Sequence, residues 1–232
     1  MVVLGLGLLF AFGRAPQALT ETLPVPNGFH ALVKAETEWS RATNSADKLA
    51  LIGILRAGLA QESQLPLATV REAFQALPTP SSKDLTLGLV ELAEAELAAG
   101  RIPEAVRLWT DALRFGQARV KGGTVLQLLV AIAGEKRVLE SVDKHRERLS
   151  PAERRELAAT LRSLEDRWEP VPVVFARDLA LGLERSSSPS QRLGQRWAMF
   201  WLGSVKKAQS RVTAKIHSEA QHRALVATKL EQ

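Results

Sequence analysis

The chain has 232 residues, 46% hydrophobic and 24% charged, the balance of a globular protein with a buried core. It has no cysteine, which excludes disulfides, thiolate nucleophiles, iron–sulfur clusters and Cys-ligated zinc. The net charge of +6 is unevenly placed: residues 189–232 hold eight Lys/Arg against two acids, and the rest of the chain is neutral. Ala and Leu dominate, β-branched and aromatic residues are sparse, and there is no Tyr, so an all-α fold is expected.

Val2 to Gly13 is an unbroken apolar run ended by Arg14. A spanning helix needs about 20 apolar residues, so the run is short for one. It also lacks the basic residues that precede a secretory signal. Three readings stay open: a signal anchor whose beginning precedes Met1, a short secretory signal, or an apolar helix packed on the body. Ala15 to Pro26 carries Pro16, Pro24 and Pro26 and reads as a stiff extended spacer. The chain therefore divides into an apolar segment (1–14), a spacer (15–26), a helical domain (27–185) and a basic helical tail (186–232).

Successive helices are expected across the domain. Phe29 to Arg41 is the first. Ala46 to Gln61 follows, with Leu49, Ile52, Leu55 and Leu59 on one face. Leu67 to Leu77 is shorter and is stopped by Pro78-Thr79-Pro80. Asp84 to Gln117 then reads as two amphipathic helices broken at Gly100-Arg101. The first, with Ser81 and Asp84 as a capping box, turns Leu85, Leu89, Leu92, Ala93 and Leu97 inward. The second starts at Pro103 and turns in Ala105, Leu108, Trp109, Ala112 and Leu113. After Gly122-Gly123, Val125 to Ala133 is nearly all apolar, the pattern of a helix buried on all sides. Lys136 to Arg148 is its charged continuation. Ser150-Pro151-Ala152-Glu153 combines an N-cap serine, a first-turn proline and a capping-box glutamate, predicting a helix to Trp168. Pro170 and Pro172 break it, and Val173 to Leu183 resumes. Ser188-Pro189 opens a tail helix.

Leu92-Ala93, Gly100, Ala105, Trp109 and Ala112 resemble a tetratricopeptide repeat, in which small residues mark the helix crossing and a large aromatic fills the gap. Glu96 stands where that repeat carries an aromatic, and Gln117 where it often carries proline. No second copy follows at a period of about 34, and solenoids need several repeats, so a single hairpin within one irregular domain is expected.

A second resemblance is longer. Pro24-Val25-Pro26-Asn27-Gly28-Phe29 with Val33-Lys34-Ala35, then Gly100-Arg101, Glu104-Ala105, Asp111 to Gln117 and Gly122-Gly123, resemble a bacterial family of membrane-anchored helical proteins. The similarity runs over roughly residues 24–179. It implies fold and topology, and carries no activity with it. Members begin with a longer, basic-flanked apolar segment, which implies an anchor starting before Met1.

No G-x-G-x-x-G fingerprint, P-loop, H-E-x-x-H, EF-hand loop or G-x-S-x-G occurs. His30, His145, His217 and His222 are scattered, and His145 reads as part of a solvated face. Glu91 with Glu94, and Glu165-Asp166 with Glu169, read as solvated helix faces. No cofactor or metal is expected. Trp109, Trp39 and Trp168 are expected in the core.

The expected function is a non-catalytic, membrane-tethered domain on the extracytoplasmic side that binds a protein partner or organises an envelope assembly. A soluble cytoplasmic protein is the alternative location. The competing reading is a peripheral module binding anionic lipid or nucleic acid through Arg192, Arg196, Trp197, Trp201, Lys206, Lys207, Arg211 and Lys215. Basic flanks around Trp and Phe suit an anionic membrane interface, whereas no nucleic-acid reader motif accompanies them. The same tail also suits a helix docked on the body with its basic residues in solvent. An enzyme with an unfamiliar helical site stays open.

Overall fold

Ala- and Leu-rich segments separated by capping residues give a chain of helices. The computed structural model describes residues 22–70, 81–164, 168–185 and 204–232. Among them the fold is all-α, with no strand. The helices are α1 (Phe29–Trp39), α2 (Ser45–Leu59), α3 (Ser81–Ala98), α4 (Ile102–Ala118), α5 (Val125–His145), α6 (Pro151–Ser163), α7 (Val171–Arg185) and α8 (Ser204–Glu231). A 3-10 turn at Arg146–Arg148 joins α5 to α6. The N-terminal apolar run, most of the Pro spacer, most of the helix expected from Leu67, and the Trp197–Trp201 stretch lie outside the described residues.

The α3–α4 hairpin is closed by backbone geometry. Gly100 takes φ +78°, the left-handed conformation that alanine adopts only with strain. Its N–H donates to Leu97 O at 3.1 Å, and the Arg101 N–H reaches Glu96 O at 2.9 Å, the two bonds of a Schellman stop. The Arg101 guanidinium then binds the Glu96 carboxylate, so a glutamate at an aromatic position serves the turn. Leu85, Leu89, Ala93 and Leu97 are fully buried, as expected, while Leu92 is half-buried. Helix α3 begins at Ser81, whose side chain lies outside the described residues, and so does the expected Ser81–Asp84 box.

The centre of the core differs from the expected one. Helix α4, not the start of α5, is buried round most of its circumference: Ala105, Val106, Leu108, Trp109, Asp111, Ala112, Leu113, Phe115 and Gln117 are all inside. It packs against α2, α3, α5 and α6. The apolar run at the start of α5 keeps an outer side, with Leu126 46% exposed and Ala133 in solvent. Its inner side, Leu128, Ala131 and Ile132, packs with Val120, Val171, Val174 and Val212 in a second cluster. Apolar composition alone therefore overstated its burial, because one flank has no neighbour among the described residues.

Helix α2 is seated by Leu51, Ile52 and Leu55, and Leu49 points outward at 45% exposure. The Ser150 cap forms as read. Ser150 Oγ accepts from Glu153 N and the Glu153 carboxylate accepts from Ser150 N at 2.8 Å. Helix α6 ends at Ser163, short of Trp168, and α7 begins at Val171 with Pro172 in its first turn, where a missing N–H costs nothing. Helix α8 lies on α6, α5 and α7, and its Val226, Ala227 and Leu230 join the main core.

The Pro-Asn-Gly-Phe stretch has a physical role. Asn27 Oδ1 accepts from Phe29 N and from Gln64 N, both at 3.1 Å, while its Nδ2 donates to Gln64 O at 2.9 Å. One side chain thus caps α1 and fastens the loop after α2. A Cβ on Gly28 would stand 2.2 Å from Gly58 O, so only glycine lets these backbones meet. Phe29 is 2% exposed beneath the Arg119 guanidinium, 5.0 Å from its ring centroid.

Trp39 lies against Gly88 so closely that an alanine Cβ there would sit 2.5 Å from a ring carbon. Gly88→Ala is expected to lower stability by about 1–3 kcal/mol through overpacking. Gly53→Ala, on the exposed side of α2 with nothing within 4 Å, is expected to raise it by about 0.5–1 kcal/mol. Urea unfolding followed by circular dichroism reads both, and equal shifts would refute the packing account.

Candidate functional site

Four of the eight sequence-predicted site residues, Arg192, Arg196, Trp197 and Trp201, lie outside the described residues. The other four fall on the first half of α8. Lys207, Arg211 and Lys215 are exposed and recur every fourth residue, so they form one stripe. Lys206 begins the same helix. None of the three stripe cations makes an ion pair among the described residues. The buried side of this half carries Val212 and Ile216, packed on the α5–α7 cluster, which fixes the helix's rotation.

The second half of α8 spends its charges on the body. Arg223, 2% exposed, donates from Nε to Glu135 Oε1 at 2.5 Å. Lys229 Nζ reaches both oxygens of Asp143, at 3.0 and 2.8 Å. Glu231 pairs with Arg162 and His222 stands 3.7 Å from Glu219. Burial pushes the Glu135 carboxyl above its ordinary range, and Arg223 opposes that shift. Lys229, with Arg146 beside it, holds the Asp143 carboxyl low.

Similar ties recur through the body. Arg119 meets Glu36 at 2.8 Å, and Glu36 also accepts from Ser82 Oγ at 2.6 Å. Arg56 bridges α2 to Glu104 and Asp111 of α4, at 2.8 and 2.7 Å. Burial raises the Asp111 carboxyl's proton affinity, with Arg56 pulling the other way. Glu169, expected on a solvated face, instead binds Arg177 and accepts from Gly122 N at 3.2 Å, while Arg177 donates to Gly123 O at 2.6 Å. Asp178 accepts from Val125 N at 3.2 Å, placing an acid at the positive start of α5.

A polar relay joins the core to the surface between α3 and α5, and sequence reading missed it. The buried Trp109 indole N–H donates to Ser141 Oγ at 3.2 Å, and Ser141 donates to Glu94 Oε1 at 2.8 Å. His145 stacks on Trp109, with centroids 6.5 Å apart, and its Nε2 lies 3.6 Å from Glu94 Oε1. His145 is therefore half-buried rather than solvated. Ser141 is 4% exposed and held at both ends, which makes it a bridge satisfying the indole rather than a nucleophile open to substrate. The i,i+4 spacing of Ser141 and His145 was the available signal, but their partner Glu94 lies on another helix.

Among the described residues no group of three or more His, Asp and Glu is placed to hold a metal ion. None of the described helices is long and apolar enough to cross a membrane. Comparison with known protein families, with curated proteins and with solved structures found no match.

Two outcomes follow from these groups. Arg223→Met strands the Glu135 carboxylate and is expected to cost about 3–5 kcal/mol, most of it recovered by Glu135→Leu in the same chain. Thermal unfolding of both variants checks it, and additive losses would refute the pairing. Burial, with Lys144 and Arg148 nearby, holds the His145 ring below its ordinary 6.5, against the pull of Glu94. The neutral ring suits the fold, so its contribution is present above pH 6.5 and is lost as pH falls toward the folded value. Between pH 7 and 5 the wild type should lose more stability than His145→Gln, and parallel curves would refute this.

Proposed function

We propose that this chain is a non-catalytic helical domain held at a membrane by residues 2–13 and the spacer that follows, and that it serves protein interaction or envelope assembly. The observation that carries the reading is how the body uses its buried charges. Asp111, Glu135 and Arg223 each face an opposite charge on another helix, and Glu36 faces Arg119 just past the end of α4. Carboxylates used in this way hold distant segments together, which supports reading the body as a platform for a partner. The α3–α4 hairpin, read as a single tetratricopeptide-type unit, is the folding centre of that platform, since α4 is buried round most of its circumference. The tether rests on the sequence of Val2–Gly13 and the prolines after it.

Expressed from the full-length gene, with any codons that precede Met1, the protein should pellet with membranes and resist carbonate washing. Leu6→Arg with Leu9→Arg should release it without changing the melting of the body. A wild-type chain recovered in the soluble fraction would sink the tethered reading. Protease added to spheroplasts should reach the helical domain if it lies on the extracytoplasmic side.

A further inference from the structure

The charges on α8 are distributed in two distinct ways. Past residue 219 its charged groups find partners: Arg223 with Glu135, Lys229 with Asp143, Glu231 with Arg162. Before it, Lys207, Arg211 and Lys215 stand exposed without an ion pair among the described residues. At 1.5 Å per residue, successive members are about 6 Å apart and the stripe spans about 12 Å. Neighbours lie within a Debye length of about 8 Å, so they repel one another through the solvent. Like charges at i,i+4 disfavour a helix.

The next charge on the line is Glu219, four residues past Lys215, and it lies 3.7 Å from His222. Arg185 to Ser218 contains Lys and Arg but neither Asp nor Glu. Val212 and Ile216, packed inside, keep the helix from rolling the cations against the body. The stripe is therefore presented outward and held there.

We propose that the Lys207–Arg211–Lys215 stripe is a docking surface for an anionic phospholipid membrane. A straight row of cations on a fixed helix matches a plane of phosphate headgroups. The side chains beside the stripe, Ser210, Thr213, Ala214 and Ser218, are short and exposed. None of them is an Asn, Gln or Arg able to make a bidentate base contact. The sequence just before the helix, with Trp197, Met199, Phe200 and Trp201, has the composition of the headgroup boundary. The stripe stands apart from the N-terminal tether, because it depends on lipid charge and an apolar segment does not.

The test is flotation of the full chain with neutral phosphatidylcholine vesicles and with vesicles carrying 30% phosphatidylserine. Binding should be stronger to the anionic vesicles and should fall as salt rises. At roughly a fivefold gain per cation near such a surface, Lys207→Gln/Arg211→Gln/Lys215→Gln should erase about 100-fold of the preference. Arg155→Gln, an exposed cation on α6, should leave it unchanged. Circular dichroism confirms that each variant stays folded. Equal binding to both vesicle types would support the tether alone and overturn the stripe. An anionic preference retained by the triple variant, or no anionic preference at all, would also overturn it. Tighter binding to duplex DNA or RNA than to anionic vesicles, lost in the triple variant, would replace the lipid with nucleic acid.

Discussion

A charge taken out of water has to meet an opposite charge, and in this protein three such meetings tie distant parts of the chain together. Glu36 on α1 meets Arg119 just past α4, Arg56 on α2 meets Asp111 on α4, and Glu135 on α5 meets Arg223 on α8. The apolar core would tolerate several registers of Leu- and Ala-rich helices against one another. A buried ion pair tolerates far fewer, because sliding one helix by a turn strands both charges. The apolar contacts thus supply attraction, and the pairs select which arrangement of helices is kept.

Local signals in the sequence were sufficient where the physics is local. The stop at Gly100, the first-turn prolines and the Ser150–Glu153 box involve residues within a few positions, and their geometry follows from side-chain chemistry. Legibility ends where a partner lies far along the chain. Nothing near Glu94 announces Ser141 and His145, and nothing near Glu169 announces Arg177 together with the Gly122-Gly123 backbone. The same limit explains Leu126 and Leu49, whose apolar character says nothing about whether a neighbouring helix covers them. Of the candidate site, the exposed positions Lys207, Arg211 and Lys215 were legible from helical spacing. The contrast with the paired second half of α8 was not, because the partners Glu135, Asp143 and Arg162 come from α5 and α6.

The Asn27-Gly28 and Gly122-Gly123 stretches have concrete tasks in this fold. Asn27 and Gly28 close the start of α1 onto the loop after α2, and Leu65 N donates to Lys121 O at 2.9 Å beside Gly122-Gly123. Two stretches some ninety residues apart in the chain therefore meet on one loop. Their role is to join the α1–α2 pair to the α4–α5 connection, which is an architectural task. A functional reading gains more from the exposed charges, which the architecture does not use.

The Glu135–Arg223 pair also sets an order of events during synthesis. Helix α5 leaves the ribosome long before α8 does, since the partners are 88 residues apart. Through that interval Glu135 lacks its partner, and the core residues that pack with Val226, Ala227 and Leu230 lack theirs. A nascent chain in this state exposes a surface of the kind that chaperones hold. Closure over Glu135 thus waits for α8, the same helix that carries the basic stripe.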